Sequence, residues 1–215
     1  MQTVARPLVS RLTAIAVALF VMVCVAGNAR SAEVDTPALF LEAFGAQAIK
    51  LLAETEPGEA KRESEMRRLL NEGFDIEFIG RFVLSRYYRA ASETERAEFH
   101  QLFEDYLIAA YGRRFGTYNG EKFVVGQTFQ QDDERAVVRS DVVRPSGDTM
   151  TVDWRVQRRE GKWRIIDIMV EGVSMMVTQR SEFTALLQRE KGSVAALNQR
   201  LRQLTLSLNE QPRKS

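Results

Sequence analysis

The sequence predicts an α+β domain in which a four-stranded, curved antiparallel sheet is flanked by N- and C-terminal helices that enclose an apolar cavity. Three observations predict this class. Apolar residues recur at helical spacing before residue 119 and again after residue 172, and four strand-like segments lie between residues 121 and 170. Helices on either side of a run of strands are typical of α+β folds. Because the turns between the strand-like segments are short and polar, we expect sequential strands to pair antiparallel.

Residues 1–29 have the pattern of a secretory signal peptide. Two arginines precede the apolar run Leu12–Ala26, and small residues follow it up to Ala29. Because this run is shorter than the roughly 20 residues that a spanning helix needs, we do not expect it to stay in the membrane as an anchor. We therefore predict cleavage after Ala29, or after Ala32, and a single domain over residues 33–210 in the periplasm.

The composition argues against several classes of chemistry. The only cysteine, Cys24, lies in the predicted signal peptide, and the chain has one histidine, His100. A disulfide framework, a zinc site or a Cys-His nucleophile pair is therefore not expected. Lys and Arg number 30 against 29 Asp and Glu, with no block of like charge, so nucleic acid is not an expected partner. His100 stands one position off the apolar stripe of its helix, so we expect it to be exposed.

The N-terminal half predicts four helices. Pro37 marks the start of the first helix, because the missing N–H of a proline costs no hydrogen bond in the first helical turn. The capping box Ser92–Glu95 marks another, since its serine and glutamate satisfy each other's backbone N–H groups. The predicted helices are Pro37–Leu52, Ala60–Asn71, Phe74–Tyr88 and Ser92–Tyr118, and two more, Val173–Lys191 and Val194–Asn209, close the chain.

Four strands are predicted, and the last of them differs from the others. The strands are Glu121–Phe129, Arg135–Val143, Met150–Arg159 and Trp163–Val170. The last strand carries apolar residues on both faces, so both faces should be covered. The short turn before it would place Asp167 opposite Trp154. Strict alternation would place Ile166, Ile168 and Val170 on one face, next to the methionines that begin the following helix.

Two acids within the strands are candidates for chemistry. Asp153 and Asp167 both have apolar neighbours in the sequence. Each needs a partner such as Arg139, Arg155 or Arg164, or else carries a raised pKa. One interpretation is a structural ion pair, and the other is a general base in a cone-shaped cavity, as in small α+β isomerases. A cavity enzyme that uses either acid is therefore an alternative to a binding protein.

Several segments resemble the MlaC family of periplasmic phospholipid carriers, which includes toluene-tolerance and ABC-transporter auxiliary proteins. These segments are Ile79–Tyr88, Phe103–Tyr111 with Tyr118–Gly120, and Val170–Met175. The most specific part is Glu171–Met175, ahead of Arg180–Phe183. The resemblance spans the chain from about Thr36 to Leu208. A hopanoid-associated branch exists in the same family, and these residues do not separate the branches.

The resemblance implies a non-enzymatic carrier whose sheet and helices enclose the acyl chains of a phospholipid, with the head group near solvent. It also implies two protein partners, an inner-membrane ABC lipid-transport complex and an outer-membrane lipoprotein and porin complex. Shuttling lipid between them would serve the lipid asymmetry of the outer membrane. We expect a monomer with phospholipid as cargo and no cofactor or metal. A hopanoid-binding or other envelope-lipid protein stays an alternative, and head-group preference and transport direction stay open.

We expect the cargo to contact apolar side chains of the helices, of the last two strands and of the junction with the next helix. Flexible methionines at that junction would suit a ligand of variable shape. The candidate lipid-binding residues are Phe82, Val83, Phe103, Tyr106, Leu107, Ala110, Phe115, Trp154, Ile166, Ile168, Val170, Met175 and Met176.

Overall fold

The computed structural model of the protein describes residues 35–112 and 118–210. Within these ranges the helices are α1 Pro37–Glu54, α2 Ala60–Gly73, α3 Ile76–Leu84, α4 Tyr87–Ala90, α5 Glu93–Gly112, α6 Met175–Arg189 and α7 Val194–Glu210. The strands are β1 Lys122–Asp132, β2 Arg135–Val143, β3 Thr149–Arg159, β4 Lys162–Val170 and β5 Val173–Ser174. The predicted signal peptide and Phe115 lie outside the described residues. The α+β class is confirmed.

The sheet has five antiparallel strands in the order β1-β2-β3-β4-β5, rather than the four that the sequence predicts. The chain reverses after β4 at Glu171 and Gly172, whose φ angles are 49° and 80°. Two consecutive positive φ angles are typical of the tight turns that join hairpin strands. Val173 and Ser174 can therefore pair with the end of β4 as a short fifth strand.

Helix α6 begins later than predicted. Ser174 is its N-cap, and the Ser174 Oγ accepts a hydrogen bond from the Val177 N–H at 3.1 Å. Serine is favoured at this position because its hydroxyl satisfies a backbone donor that has no partner within the helix. The predicted start at Val173 is wrong, because that residue pairs in the sheet instead.

The strand register divides the sheet into two faces, because residues directly opposite each other in an antiparallel pair share a face. The apolar face carries Val138, Val152, Trp154, Val156, Ile165 and Ile168. The charged face carries Arg139, Asp153, Arg155, Arg164 and Asp167. Helix α1 packs on the apolar face, where Leu41 is fully buried. The antiparallel sheet therefore turns one face towards the core and the other largely towards solvent.

A β-bulge in β4 changes the predicted register. Val156 pairs with Ile165 and Arg155 pairs with Asp167, so Ile166 has no partner of its own on β3. One extra residue shifts the alternation of every side chain that follows it. Asp167 therefore lies opposite Arg155, and the prediction that it lies opposite Trp154 is wrong. The prediction that Ile166 shares a face with Ile168 is wrong for the same reason.

Two apolar clusters form the core. The helical cluster comprises the buried residues Ile79, Val83, Leu84, Ala91, Phe99, Phe103, Met176, Phe183, Leu187, Val194, Leu197 and Leu201, with half-buried neighbours that include Phe82, Tyr106 and Leu107. The sheet cluster comprises buried Leu41, Ala136, Val138, Val156, Trp163 and Ile165, with half-buried Phe40, Phe44, Phe123, Val125, Trp154 and Ile168. Phe74 packs against both clusters. The two clusters therefore adjoin at the β4 edge, where the Asp75 N–H donates to the Ile165 carbonyl at 3.0 Å.

Apart from α6, the helices begin within two residues of the predicted positions, but two predicted C-terminal ends are wrong: Tyr118 is not helical, and α3 ends at Leu84. The capping box is confirmed: the Glu95 N–H donates to the Ser92 Oγ at 3.2 Å, and the Ser92 N–H donates to the Glu95 carboxylate at 2.7 Å. The predicted helix from Phe74 to Tyr88 is divided by Ser85, whose φ is 54°. A single residue in this left-handed region ends α3, and the short helix α4 starts in a new direction.

Candidate functional site

The candidate lipid-binding residues are distributed over both clusters. Phe82, Val83, Phe103, Tyr106, Leu107 and Met176 lie in or against the helical cluster, and Trp154 and Ile168 lie in the sheet cluster. Ala110, Val170 and Met175 are half-buried, and Ile166 borders a groove near the charged face together with Phe78. The structure therefore brings most of these residues together in two adjoining groups rather than in one.

Burial separates these residues into two kinds. Val83 and Phe103 have no exposed surface, and Phe103 stacks on Phe99 with the ring centroids 5.5 Å apart. Such close packing is that of an ordinary protein interior, in which an added group has no room. Trp154 and Ile168 are only half-buried. A ligand can therefore displace neighbours more easily beside the second pair than beside the first.

Aromatic rings dominate the sheet cluster. The Trp154 ring meets Phe44 and Phe123 edge-on, at centroid distances of 6.2 and 5.8 Å, and Phe44 in turn meets Phe74 at 5.7 Å. The Trp154 Nε1–H donates to the Ser140 Oγ at 2.8 Å. Because its only polar atom is satisfied in this way, the indole presents apolar surface to the cluster. Sequence reasoning missed Phe44 and Phe123, although Phe44 stands at helical spacing from Leu41.

Four chain segments converge at one end of the sheet, here called the upper end. The register places the start of β1 and the end of β4 at this end. Helix α6 starts here directly after β5, and the side-chain amide of Gln179 donates to the Tyr111 hydroxyl, at 3.0 Å, near the C-terminus of α5. The upper end is thus bordered by half-buried Val170 and Met175, with a polar contact between two helices beside them.

Asp167 attaches the start of α6 to the sheet. Its side chain has no exposed surface, and its two oxygens accept hydrogen bonds from the Ser174 hydroxyl at 2.6 Å and the Met176 N–H at 3.0 Å. A guanidinium nitrogen of Arg155 lies 3.6 Å away. A carboxylate is favoured at a helix N-terminus, because the backbone N–H groups there have no helical partners. The structural interpretation of Asp167 therefore accounts for both of its oxygens.

Asp153 is held on the charged face by one arginine. The Arg139 guanidinium donates to both carboxylate oxygens of Asp153, at 2.8 and 2.9 Å. This hydrogen bonding lowers the pKa of Asp153 below its ordinary value, against a smaller opposing effect of burial. An acid with a lowered pKa is a weak proton acceptor at neutral pH. The predicted ion pair of Asp153 with Arg139 is confirmed.

His100 is packed between helices rather than exposed, so the expectation for it is wrong. Its ring meets Tyr88 and Phe99, and a Cβ atom added at Gly80 of α3 would lie 2.8 Å from it. Glycine at position 80 therefore gives the ring its space. Neither ring nitrogen has a hydrogen-bond partner among the residues that the structure describes. Burial lowers the pKa of His100, and a nearby glutamate and arginine act in opposite directions.

Two open grooves lie at the lower end of the sheet, away from the upper end. They have volumes of about 450 and 520 Å³ and lie beside the β3–β4 and β1–β2 turns. Charged side chains line most of each groove, including Asp75 and Arg159 in the first and Asp132 and Arg135 in the second. Such linings do not suit acyl chains, which require apolar surroundings.

Two structural features are absent from residues 35–112 and 118–210. No helix in these ranges is both long enough and apolar enough to cross a membrane. Likewise, these ranges contain no group of three or more His, Cys, Asp or Glu side chains placed to hold a metal ion.

The α+β fold of this chain is shared with a solved protein. It superposes on a solved phospholipid-binding protein from Ralstonia solanacearum, determined in complex with a phospholipid, with a TM-score of 0.71. The match covers 80% of this chain and 98% of that protein, at 18% sequence identity. At this level of identity the match shows a shared fold.

The chain belongs to the MlaC protein family, whose model matches residues 42–203. Two relatives are an intermembrane phospholipid transport system binding protein of Haemophilus influenzae, 22% identical over 120 residues, and a toluene tolerance protein of Pseudomonas putida, 24% identical over 125 residues. These alignments cover 54% and 58% of this chain, and 56% and 58% of the two relatives. The chain thus matches somewhat over half the length of each relative. The family resemblance seen in the sequence is confirmed.

Proposed function

We propose that this chain is a periplasmic carrier that holds the acyl chains of a phospholipid in an apolar cavity. It exchanges this cargo with an inner-membrane ABC transport complex and an outer-membrane lipoprotein and porin complex, and so serves outer-membrane lipid asymmetry. The observation that carries the proposal is the MlaC family match over residues 42–203. Relatives named for phospholipid transport and for toluene tolerance support it.

In this proposal the acyl chains lie between the apolar face of the sheet and the helices, and they enter at the upper end. The sheet cluster supports this position because its aromatic rings are half-buried and can move apart. Ile168, Val170 and Met175 are half-buried where β4 passes into α6. Phe74 lies where the two clusters meet, so displacement of its ring would open a path from one cluster towards the other.

Apolar burial of this kind is what a lipid carrier needs. Moving a phospholipid with about 30 methylene groups from a bilayer to water costs roughly 24 kcal/mol of free energy, at about 0.8 kcal/mol per methylene. An apolar cavity offsets most of this cost. Because bilayer and cavity are both apolar, the carrier alone cannot set a direction of transport. Direction requires partners that favour the loaded or the empty carrier.

A cavity enzyme is the less favoured alternative, because neither candidate acid is available as a general base. Both oxygens of Asp167 accept hydrogen bonds from the start of α6. Asp153 is bound through both oxygens by Arg139. A general base must be able to reach the proton of a substrate within hydrogen-bond distance. The Asp167 side chain has no exposed surface, so a substrate cannot reach it, and the lowered pKa of Asp153 makes that carboxylate a weak proton acceptor.

Native mass spectrometry of the protein purified from the periplasm tests the proposal, with lipid extraction from the same sample. We expect a mass increment of one phospholipid per chain, and uptake of a fluorescent phospholipid from vesicles. Extraction also identifies the cargo, since a polycyclic hopanoid and a two-chain phospholipid differ in mass. A protein without co-purified lipid, which also takes up none from vesicles, would overturn the proposal.

A further inference from the structure

We propose that four arginines around the junction of α3 and α4 form a docking surface for an acidic segment of a membrane-bound partner protein. This surface, here called the arginine corner, comprises Arg81, Arg86, Arg89 and Arg96 around Tyr87 and Tyr88. The inference rests on the proposed carrier function and deepens it, because it assigns a place and a chemistry to the contact with a partner.

An unusual backbone conformation creates the corner. Ser85, which ends α3, has a φ of 54° and a ψ of −127°. Glycine adopts positive φ angles readily, whereas a residue with a Cβ atom does so at a cost in folding free energy. Residues with such strain cluster at functional sites, which directs attention to the surface beside Ser85. On that surface, Arg86 and Arg89 are exposed.

The two tyrosines hold guanidinium groups in fixed positions. The Arg86 guanidinium lies 5.0 Å from the centroid of the Tyr87 ring and donates to the Tyr87 hydroxyl at 3.0 Å. The guanidinium groups of Arg81 and Arg96 lie 5.6 and 4.8 Å from the centroid of the Tyr88 ring. Cations are attracted to aromatic faces, so these side chains have less freedom to lose when a partner binds.

The corner is also attached to the rest of the domain. Both tyrosines pack against the helical cluster, and a Cβ atom added at Gly192 would lie 3.1 Å from the Tyr87 ring. Arg96 of α5 donates to the backbone carbonyls of Tyr88 and Arg89, at 2.7 and 3.1 Å. Contacts from α5 and from the turn after α6 therefore fix the position of α4.

Positive charge predominates at the corner. Among the described residues, only Arg81 of the four arginines pairs with a carboxylate, that of Glu77 at 3.0 Å. Of the two acids in the first turn of α5, Glu95 is occupied by the capping box, which leaves Glu93. The cations therefore outnumber the acids, and a complementary surface carries negative charge.

An acidic protein segment fits this surface better than a bilayer does. A protein that lies on a membrane inserts apolar side chains into the interface, and no large apolar side chain of the described parts of α3, α4 and α5 is exposed. A guanidinium in a fixed orientation matches a carboxylate, which it can bind through two parallel hydrogen bonds. Arginine and tyrosine are also enriched in protein–protein interfaces.

The corner lies away from the proposed entry site for lipid. Helix α6 begins at the upper end and has 15 residues, so its two ends are about 22 Å apart at roughly 1.5 Å per residue. Tyr87 packs against Gly192, which follows shortly after the C-terminal end of this helix. A partner bound at the corner therefore leaves the upper end free for exchange, and substitutions should separate docking from lipid loading.

Delivery of lipid to two kinds of vesicle tests the corner. Membrane vesicles of the bacterium that produces the protein are compared with liposomes made from the lipid extracted from the same membranes, so that only the membrane proteins differ. We expect the wild type, loaded with a fluorescent phospholipid, to deliver it faster to the membrane vesicles. Arg86→Glu/Arg89→Glu should slow this delivery roughly tenfold, as the loss of an interfacial hot spot does, and leave delivery to liposomes unchanged.

A control variant carries the same change in net charge. Lys61→Glu/Arg200→Glu alters two exposed cations on α2 and α7, and it should deliver lipid as the wild type does. Arg86→Gln/Arg89→Gln removes the two charges without adding acids, and it should slow delivery to membrane vesicles by a smaller factor. Circular dichroism and lipid extraction should show all three variants folded and fully loaded, because the substituted positions are exposed.

The outcomes separate the docking surface from the carrier function. Equal slowing of the arginine variants with both kinds of vesicle would overturn the inference, since the bound anion would then be a lipid head group. Wild-type delivery that is no faster to membrane vesicles than to liposomes, arginine variants that deliver like the wild type, or a control variant that is slowed as much would also overturn it. A wild type that carries no lipid at all would instead overturn the carrier function.

Discussion

The helical cluster and the sheet cluster differ in how completely they are packed. Phe99, Phe103 and Phe183 of the helical cluster have almost no exposed surface and contact one another through their rings. In the sheet cluster, Phe44 and Trp154 remain half-buried, although α1 covers the sheet there. The centre of the helical cluster is packed as a protein interior, although neighbours such as Phe82 and Tyr106 are half-buried. In the sheet cluster, by contrast, every aromatic ring except that of Trp163 is incompletely covered.

This difference assigns the two clusters different roles in the proposed carrier. A closed interior contributes stability and has no room for a ligand. Incompletely covered aromatic surface gains the most from contact with an acyl chain, because additional apolar area is removed from water. Of the candidate lipid-binding residues, Trp154 and Ile168 fit the ligand role, whereas Val83 and Phe103 fit the structural role.

The largest expected effect comes from removing one phenylalanine from each cluster. Phe103→Ala should lower the free energy of unfolding by about 3–5 kcal/mol, since it leaves a cavity in a closed interior. Phe44→Ala should cost less than about 3 kcal/mol, because its ring is only half-buried. Chemical denaturation measures both, and lipid extraction from the folded fraction should show the greater loss of cargo in Phe44→Ala. A larger loss of unfolding free energy in Phe44→Ala, or a larger loss of cargo in Phe103→Ala, would contradict the structural role of the helical cluster and the ligand role of the sheet cluster.

A medium effect is expected at the contact between β4 and α6. Asp167→Asn removes a buried charge that accepts two hydrogen bonds, and we expect a loss of about 1.5–3 kcal/mol in unfolding free energy. Asp153→Asn is the matched control on the charged face and should cost clearly less, because its partner Arg139 is half-exposed and can be solvated. Urea denaturation at pH 7 compares the two. Equal losses would mean that Asp167 does not hold the start of α6.

The smallest effect concerns His100, next to the helical cluster. Burial lowers its pKa, so the native state favours the neutral ring. Above the pKa of about 6.5 that histidine has in the unfolded chain, the ring is neutral in both states and the free energy of unfolding is not reduced. As the pH falls below this value, the unfolded chain takes up a proton before the folded protein does, so the free energy of unfolding decreases until the pH reaches the lower pKa of the folded state. His100→Leu should gain stability relative to the wild type as the pH falls from 7 to 5, and it should gain little above pH 7. Melting curves across this range check it, and a difference that does not change with pH would contradict the half-buried position of the ring.

Much of the secondary structure could be predicted because its signals are local. The capping box at Ser92 and Glu95 depends on residues three apart, and the β2 boundaries, Arg135 and Val143, follow from alternation and short turns. The divided helix at Ser85 shows the limit of such signals. Apolar spacing continues through that residue, and the sequence contains no glycine or proline there to mark the reversal.

The candidate site was less predictable because it depends on contacts between distant segments. The single extra residue Ile166 changed which side chains share a face with Ile168, and alternation alone cannot reveal a bulge. The burial of His100 comes from Gly80, twenty positions earlier, which lets the α3 backbone approach the ring. The contact of Gln179 with Tyr111 likewise joins two helices between which all the strands lie in the sequence.

The central claim is that acyl chains lie against the apolar face of the sheet, and two substitutions on that face, with one control on the opposite face, test it most directly. Ile168→Glu places an acid in the sheet cluster, where it must stay charged in apolar surroundings or take up a proton, and in either state it competes with lipid. Val170→Glu makes the same change at the upper end. Val124→Glu is the control, because Val124 is 51% exposed on the opposite face of β1.

Lipid extraction, with circular dichroism on the same samples, gives the decisive measurement. The account predicts that Ile168→Glu and Val170→Glu remain folded at moderate temperature and carry no lipid, while Val124→Glu is folded and loaded like the wild type. A folded Ile168→Glu variant with a full complement of lipid would contradict the account, because the apolar face would then not contact the cargo. Outright unfolding of both Ile168→Glu and Val170→Glu would also contradict it, since this face would then be closed interior like the helical cluster.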